Sequence, residues 1–301
     1  MLIAESNVYD PNILAPLEDG GIGFDAEWCD DFLHSVFAVV RPGEQVCHRS
    51  YQHDTDLDQT LRLGYVYEGT LRGERGRQVP ESRVDTQGLI YAIQHHDCIG
   101  NHPLGRRLHQ LTSPETQRAA AALLILSPAI PMLFMGEEFA CERPFQFFVD
   151  FTDDHLRESV VEGRKREYPQ HNWTDGTLPI DPSAFYGSKI GTKQPGNRSM
   201  RHWYQALIGL RKQWKATGWL SDANLTVESD LEHGFFSLQY SNGGAIATVA
   251  VRLGADPHDT GVYDRPELPG KLILDSRQGS TQSNQMLTTE LAANHAKIFS
   301  S

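Results

Sequence analysis

The sequence predicts an α/β fold: part of a (β/α)8 TIM barrel, followed by a small antiparallel β-sandwich domain. Three observations carry this. Over residues 1–220, short apolar segments alternate with helical stripes. From Leu225 the pattern changes to short alternating strands, which sets residues 221–301 apart as the second domain. Between them, the apolar run Leu89–Ile93 ends abruptly in four polar residues, Gln94 to Asp97. A buried strand that delivers polar groups at its carboxyl end is how a barrel enzyme presents catalytic side chains.

Leu2–Ala4 reads as a short strand ending in Glu5, and Trp28, Phe32, Val36 and Val40 recur every four residues as a helical stripe. Gly64–Tyr67 is the next expected strand, then Leu89–Gln94. Ser113, Pro114 and Glu115 supply an N-cap, a first-turn proline and an early acid for a helix through Leu126. Pro128 and Pro131 then break the chain into the apolar run Met132–Met135. Two more helices are expected at 155–168 and 199–216; the second has Trp203, Leu207, Leu210 and Trp214 on one face and stops at Gly218. Strands Phe235–Tyr240, Ala245–Val251, Lys271–Leu274 and Lys297–Phe299 build the tail. Four strands with intervening helices suit part of a barrel but cannot close one.

At 301 residues, 39% hydrophobic and 22% charged, the chain can bury a sizeable core. A net charge of −12 argues against a nucleic-acid partner, which needs clustered Lys and Arg. No apolar run has transmembrane length, and Met1–Glu5 lacks the basic region of a secretory signal. Cys29, Cys47, Cys98 and Cys141 show no paired spacing, which fits free thiols in a reducing cytoplasm.

The segment Ile90–Asn101, Ile-Tyr-Ala-Ile-Gln-His-His-Asp-Cys-Ile-Gly-Asn, resembles the strand-seven motif of the α-amylase clan of glycoside hydrolases. Within that clan, Gln-x-His-Asp-x-Ile-Gly-Asn is similar to the maltooligosyltrehalose trehalohydrolase family, which usually has Asn in place of His95. The resemblance implies that Asp97 stabilises the transition state while His96 hydrogen-bonds sugar hydroxyls. It also implies that Leu2–Glu5, Gly64–Tyr67, Leu89–Gln94 and Met132–Met135 are barrel strands five to eight. Strands one to four and the family's amino-terminal sandwich would lie upstream, and Met1 sits inside a strand. The chain therefore reads as the carboxyl-terminal half of a longer enzyme, whose amino-terminal half is an expected partner.

Glu5 closes Leu-Ile-Ala-Glu-Ser, similar to the Ala-Glu-Ser setting of the family's general acid/base. An acid that protonates a leaving oxygen must be neutral when it acts, which an apolar wall favours. A retaining glycosidase also needs a nucleophile about 5 Å from the acid. The family's is an aspartate ending strand four, two residues after an arginine. Arg83-Val84-Asp85 copies that spacing but falls in a polar loop, so no candidate nucleophile remains. Asp30-Asp31-Phe32-Leu33-His34, expected at the start of the helix after strand five, resembles the family's Trp-Asn-Asp-Asp-Phe-His-His. Cys29 replaces its Asn and Leu33 its first His. Asp30, Asp31, His34, His96 and Asn101 are the sugar-binding candidates; acids in a first turn also simply complement the helix dipole. Gly136-Glu137-Glu138, Phe145–Asp150 and Glu162-Gly163-Arg164 match family segments whose individual roles are not readable.

Thirteen histidines raise a metal reading, with His95, His96, Asp97 and His102 close together. Neither a helical His-x-x-x-His nor a Cys pair accompanies them. The implied chemistry, hydrolysis of the α-1,4 bond joining trehalose to a maltooligosaccharide, requires no metal or organic cofactor. A different reading is a non-catalytic carbohydrate-binding or complementing subunit of a split enzyme.

Overall fold

The computed structural model describes residues 1–6, 9–44, 49–53, 55–69, 76–79, 81–169, 171–191, 196–256, 261–264, 268, 270–277, 279–280 and 290–301. In chain order the elements begin with β1 (Ile3–Ala4), α1 (Pro11–Leu14), β2 (Ala26–Trp28), α2 (Asp31–Val40) and α3 (Asp56–Leu63). There follow β3 (Tyr67–Glu68), β4 (Gly76–Arg77), β5 (Leu89–Tyr91), α4 (His96–Gly100), α5 (Leu108–Leu111), α6 (Pro114–Leu126) and β6 (Ile130–Pro131). Next come α7 (Asp154–Glu167), α8 (Pro182–Ser188), α9 (Arg198–Ala216), β7 (Leu225–Asp230), β8 (Phe235–Asn242) and β9 (Ala245–Arg252). The tail ends with β10 (Val262–Tyr263), β11 (Lys271–Asp275), β12 (Gly279–Ser280), β13 (Leu291–Ala292) and β14 (His295–Ser300).

The first sheet has four parallel strands in the order β1-β2-β5-β6. Two expectations need correction. The strand beside β1 is Ala26–Trp28, not Gly64–Tyr67. Tyr67–Glu68 instead pairs antiparallel with Gly76–Arg77 outside this sheet. Trp28 therefore ends a strand and is no part of the helical stripe, and Asp30–His34 follows the second strand of the sheet. The last strand pairs through Ile130–Pro131 rather than Met132–Met135, and the Met132 amide still donates to Tyr91 O at 2.8 Å. Pro131 is tolerated there because an outer strand leaves its missing N–H unneeded.

Helix α6 begins as its sequence requires, with Ser113 Oγ accepting the Thr116 amide at 3.1 Å. It is buried from Thr116 to Leu126, apolar nearly all round, because it lies between two sheets. On one side is the parallel sheet. On the other is the six-stranded sheet β12-β11-β14-β9-β8-β7, whose Leu238, Val249 and Ile298 share one core with Leu123 and Trp203. The opposite face, at Phe235, Ala250 and Phe299, is covered by Leu291 of β13 and Tyr263 of β10. Arg211 of α9 donates to the carbonyls of Ile125, Ser127 and Ala129, groups that the end of α6 leaves without helical partners. Tyr240 of β8 donates to Leu126 O at 2.6 Å. The Arg211 bonds tie α9, and the Tyr240 bond ties the tail, to the helix that supports the parallel sheet.

Cys29, Cys98 and Cys141 are buried free thiols; Cys47 lies outside the described residues. Among the described residues, no helix is long and apolar enough to cross a membrane.

Candidate active site

Parallel pairing brings the carboxyl ends of the four strands to one edge. Glu5 follows β1, Asp30 follows β2, Gln94–Asp97 follows β5, and Met132–Gly136 follows β6. Arg83-Val84-Asp85 precedes β5 and so lies toward the opposite edge. Arg83 pairs with Asp222, and Asp85 caps a single 3-10 turn, so this segment is structural.

His95 organises the middle of the edge. Its Nδ1 accepts the Asp97 amide at 3.1 Å, capping α4 as Asn or Asp usually would. That bond leaves the proton on Nε2, which meets Asp30 Oδ1 at 3.1 Å. Burial pushes the Asp30 carboxyl up, but the His95 hydrogen bond and charge, with His34 and the Trp28 indole, hold it below the usual range. Asp30 is thus a buried carboxylate that anchors His95. Trp28 meets the His95 and His96 rings edge-on at 5.3 and 6.2 Å.

Asp97 and His96 stand half-exposed beyond this clamp, His96 Nε2 lying 3.3 Å from Asp97 Oδ1. Glu5 is exposed after β1. These three side chains are free to meet a ligand. The other candidates are engaged. Asp31 is fully buried; Oδ2 accepts the Val66 and Tyr67 amides at 2.6 and 2.8 Å, and Oδ1 accepts the Tyr51 hydroxyl. Burial raises its carboxyl despite those donors. Its geometry fastens the β3 segment to α2. Burial lowers His34 to about 3, with the Asp30 charge opposing, so its ring is neutral. It packs on Tyr51 at 5.0 Å beside a cavity of about 250 Å³. Asn101 donates to the Tyr168 hydroxyl.

A buried polar chain under the edge escaped sequence reasoning. Gln94 Oε1 accepts the Leu108 amide at 3.1 Å, while Gln117 Nε2 donates to Glu137 O at 2.8 Å. The fully buried Glu137 takes the Tyr204 hydroxyl at 2.7 Å. Burial pushes Glu137 up to about 7, against the Tyr204 and Gln94 hydrogen bonds. Arg107 donates to Arg143 O and Met135 O, shaping the turn after β6. Acids, amides and an arginine inside the fold were the available signal, but nothing local paired them.

Among the described residues, only His95, His96 and Asp97 come close enough together to hold a metal. His95 spends both nitrogens on Asp30 and the Asp97 amide, which leaves one imidazole and one carboxylate, a poor donor set.

No family model matches the chain. It is similar to malto-oligosyltrehalose trehalohydrolases from three sources. The protein of Saccharolobus solfataricus is 35% identical over 82% of this chain and 42% of its own length. That of Rhizobium sp. is 34% identical over 81% of this chain and 42% of its own. That of Mycobacterium tuberculosis is 32% identical over 85% and 45%. The chain thus spans less than half the length of these curated relatives. Among solved structures, a putative α-amylase from Salmonella typhimurium matches with TM-score 0.77 and 27% identity, over 99% of this chain and 50% of that one. A pullulanase matches with TM-score 0.50 at 15% identity, over 92% and 39%, a likeness of fold alone.

Proposed function

Since the chain is a relative of the malto-oligosyltrehalose trehalohydrolases, we propose that its carboxyl edge hydrolyses the α-1,4 bond joining trehalose to a maltooligosaccharide, releasing trehalose. In this reading β1, β2, β5 and β6 are strands five to eight of a (β/α)8 barrel. Residues 1–220 are the partial catalytic barrel, and 221–301 a domain that braces α6. The observation that carries the reading is that Glu5, and His96 with Asp97, follow strands of one parallel sheet at its carboxyl edge, beside a clamp of Trp28, Asp30 and His95.

Glu5 protonates the leaving glycosidic oxygen and later takes a proton from water. Asp97 and His96 hold hydroxyls of the distorted sugar as positive charge develops at the anomeric carbon. Asp30 and Asp31 act through their neighbours, Asp30 by fixing His95 and Asp31 by fixing the β3 segment. His34 and Asn101 are buried and act from behind the edge, His34 packed on Tyr51 beside the cavity and Asn101 holding the Tyr168 hydroxyl. The chemistry asks for no metal or organic cofactor.

The reaction also needs a carboxylate nucleophile about 5 Å from the acid. Asp30 is buried and committed to His95 and does not serve; this reading assigns the nucleophile to barrel strands other than the four described. The exposed apolar side chains of Met1, Leu2 and Ile3, at and just before β1, suit a seat for those strands. They belong either to the same polypeptide or to a separate amino-terminal half.

Leaving-group dependence tests the roles in the completed barrel. Glu5→Gln should slow the natural substrate by about 10²–10⁴, and an activated aryl glycoside much less. Asp97→Asn should slow both alike, because its contact strengthens whatever leaves. Equal damage to both substrates from Glu5→Gln would remove Glu5 from the acid role.

A further inference from the structure

Every exposed Phe, Tyr or Trp ring among the described residues lies between residues 147 and 186: Phe147, Phe148, Phe151, Phe185 and Tyr186. The other described Phe, Tyr and Trp rings are buried or half-buried, and Tyr186 is 63% exposed. An exposed aromatic cluster of this kind marks an interaction site.

The rings are held in place. Gln146 N–H donates to Ser188 Oγ and Val149 N–H to Pro179 O, both at 2.9 Å, which latches the Phe147–Phe148 segment to the region of α8. Phe148 and Phe185 lie 4.9 Å apart between centroids, and Phe185 and Tyr186 lie 5.2 Å apart. The Arg164 guanidinium sits 3.9 Å over Phe147, and the Lys189 ammonium 4.4 Å over Phe185. Ordering the rings in advance lowers the entropic cost of binding.

The platform is continuous with the candidate active site. The Phe147 amide donates to Gly100 O at 3.3 Å, in the short helix that begins at His96-Asp97. Arg164 also lies over Tyr168, the hydroxyl that Asn101 holds. From the helix that begins at His96-Asp97, contacts run through the buried Asn101 to Tyr168, through Arg164 to Phe147, and on to Phe148, Phe185 and Tyr186.

We propose that this platform binds the outer glucose units of the α-glucan, remote from the bond that is cleaved. The inference rests on reading the carboxyl edge as a glucan-cleaving site. A pyranose offers an apolar C–H face that stacks on an aromatic ring, and a rim of hydroxyls that needs polar partners. Separate rings flanked by Arg164, Lys189 and the exposed Asp150 supply both, unit by unit along a flexible chain.

Calorimetric titration of the 301-residue chain with maltoheptaose tests this, with cellohexaose as the control of different linkage. The wild-type chain should bind maltoheptaose, and the Phe148→Ala/Tyr186→Ala double variant should bind it about tenfold more weakly. Circular dichroism should be unchanged, because both side chains are exposed. Leu231→Ala, at an exposed apolar side chain of the β tail, should bind as wild type does, so the loss is specific to the platform rings. The inference is overturned by equal binding in wild type and double variant, or by a folded wild-type chain that binds no maltoheptaose. It is also overturned if the double variant changes only self-association in sedimentation, which would assign the rings to a protein contact. Binding lost in the double variant supports the platform even if no trehalose is ever released.

Discussion

Replacing His95 tests how the edge holds Asp97. Alanine removes two contacts, the cap on the Asp97 amide and the bond to Asp30 Oδ1, each 3.1 Å long. Loss of a capping side chain costs about 1 kcal/mol. Taking a donor from a buried carboxylate costs about 2 kcal/mol more, because hydrogen bonds to charged groups are the stronger ones. His95→Ala should therefore lower the unfolding free energy by about 3 kcal/mol. Asparagine restores the cap but is too short for Asp30, so His95→Asn should lose about 2 kcal/mol. In a double-mutant cycle with Asp30→Asn, a coupling of about 1–2 kcal/mol is expected. Asp30 is held low in spite of burial, chiefly by His95. Its contribution is present above about pH 4 and is lost as pH falls through its depressed value, so Asp30→Asn should flatten that acid limb. Urea denaturation at several pH values measures all of these. A His95→Ala loss under about 0.5 kcal/mol, or no coupling with Asp30, would refute the clamp.

Burial pushes Glu27 up to about 8, with the charges of Asp10 and Asp31 adding and the Asp10 amide opposing. A raised carboxyl loses stability as pH climbs from about 4 through its folded value; Glu27→Gln should be more stable than wild type at pH near 8 and equal to it near 4 by calorimetry. His34, lowered to about 3 by burial, costs stability as pH falls below about 6.5, because the unfolded chain takes the proton first. His34→Gln should remove that slope in acid titrations followed by circular dichroism. Arg211→Met strips three carbonyls at the end of α6 of their donor, and thermal unfolding should show a loss of about 2–3 kcal/mol.

What the sequence shows most plainly is what local chemistry encodes. Helix α6 is announced by Ser113, Pro114 and a run to Leu126, and the β tail by period-two alternation after Leu225. Strand β2 was hidden because its centre is Glu27, an acid that the fold buries completely, and because Trp28 happens to fall on the spacing of the next helix. Strands two residues long, such as β1 and β6, leave too few positions for a period, so Ile130–Pro131 was displaced to the more apolar run beyond it. The placement of Glu5 and His96-Asp97 after strands of the sheet is legible because an acid ending an apolar run stands out. The work of His95 is not: an imidazole that caps a helix with one nitrogen and grips Asp30 with the other depends on a partner 65 residues away. Glu137 and Tyr204, 67 residues apart, were hidden for the same reason.

Trehalose release from maltooligosyltrehalose is the most direct measurement of the central claim. The assay compares the 301-residue chain alone, the chain fused to the remaining barrel strands, and the fused chain carrying Glu5→Gln. The account predicts no release by the chain alone, restored release in the fusion, and a fall of about 10²–10⁴ on Glu5→Gln with the fold intact. Release by the unfused chain would place a nucleophile within these residues, and full activity of the fused Glu5→Gln variant would place the acid elsewhere. Either result would contradict the account.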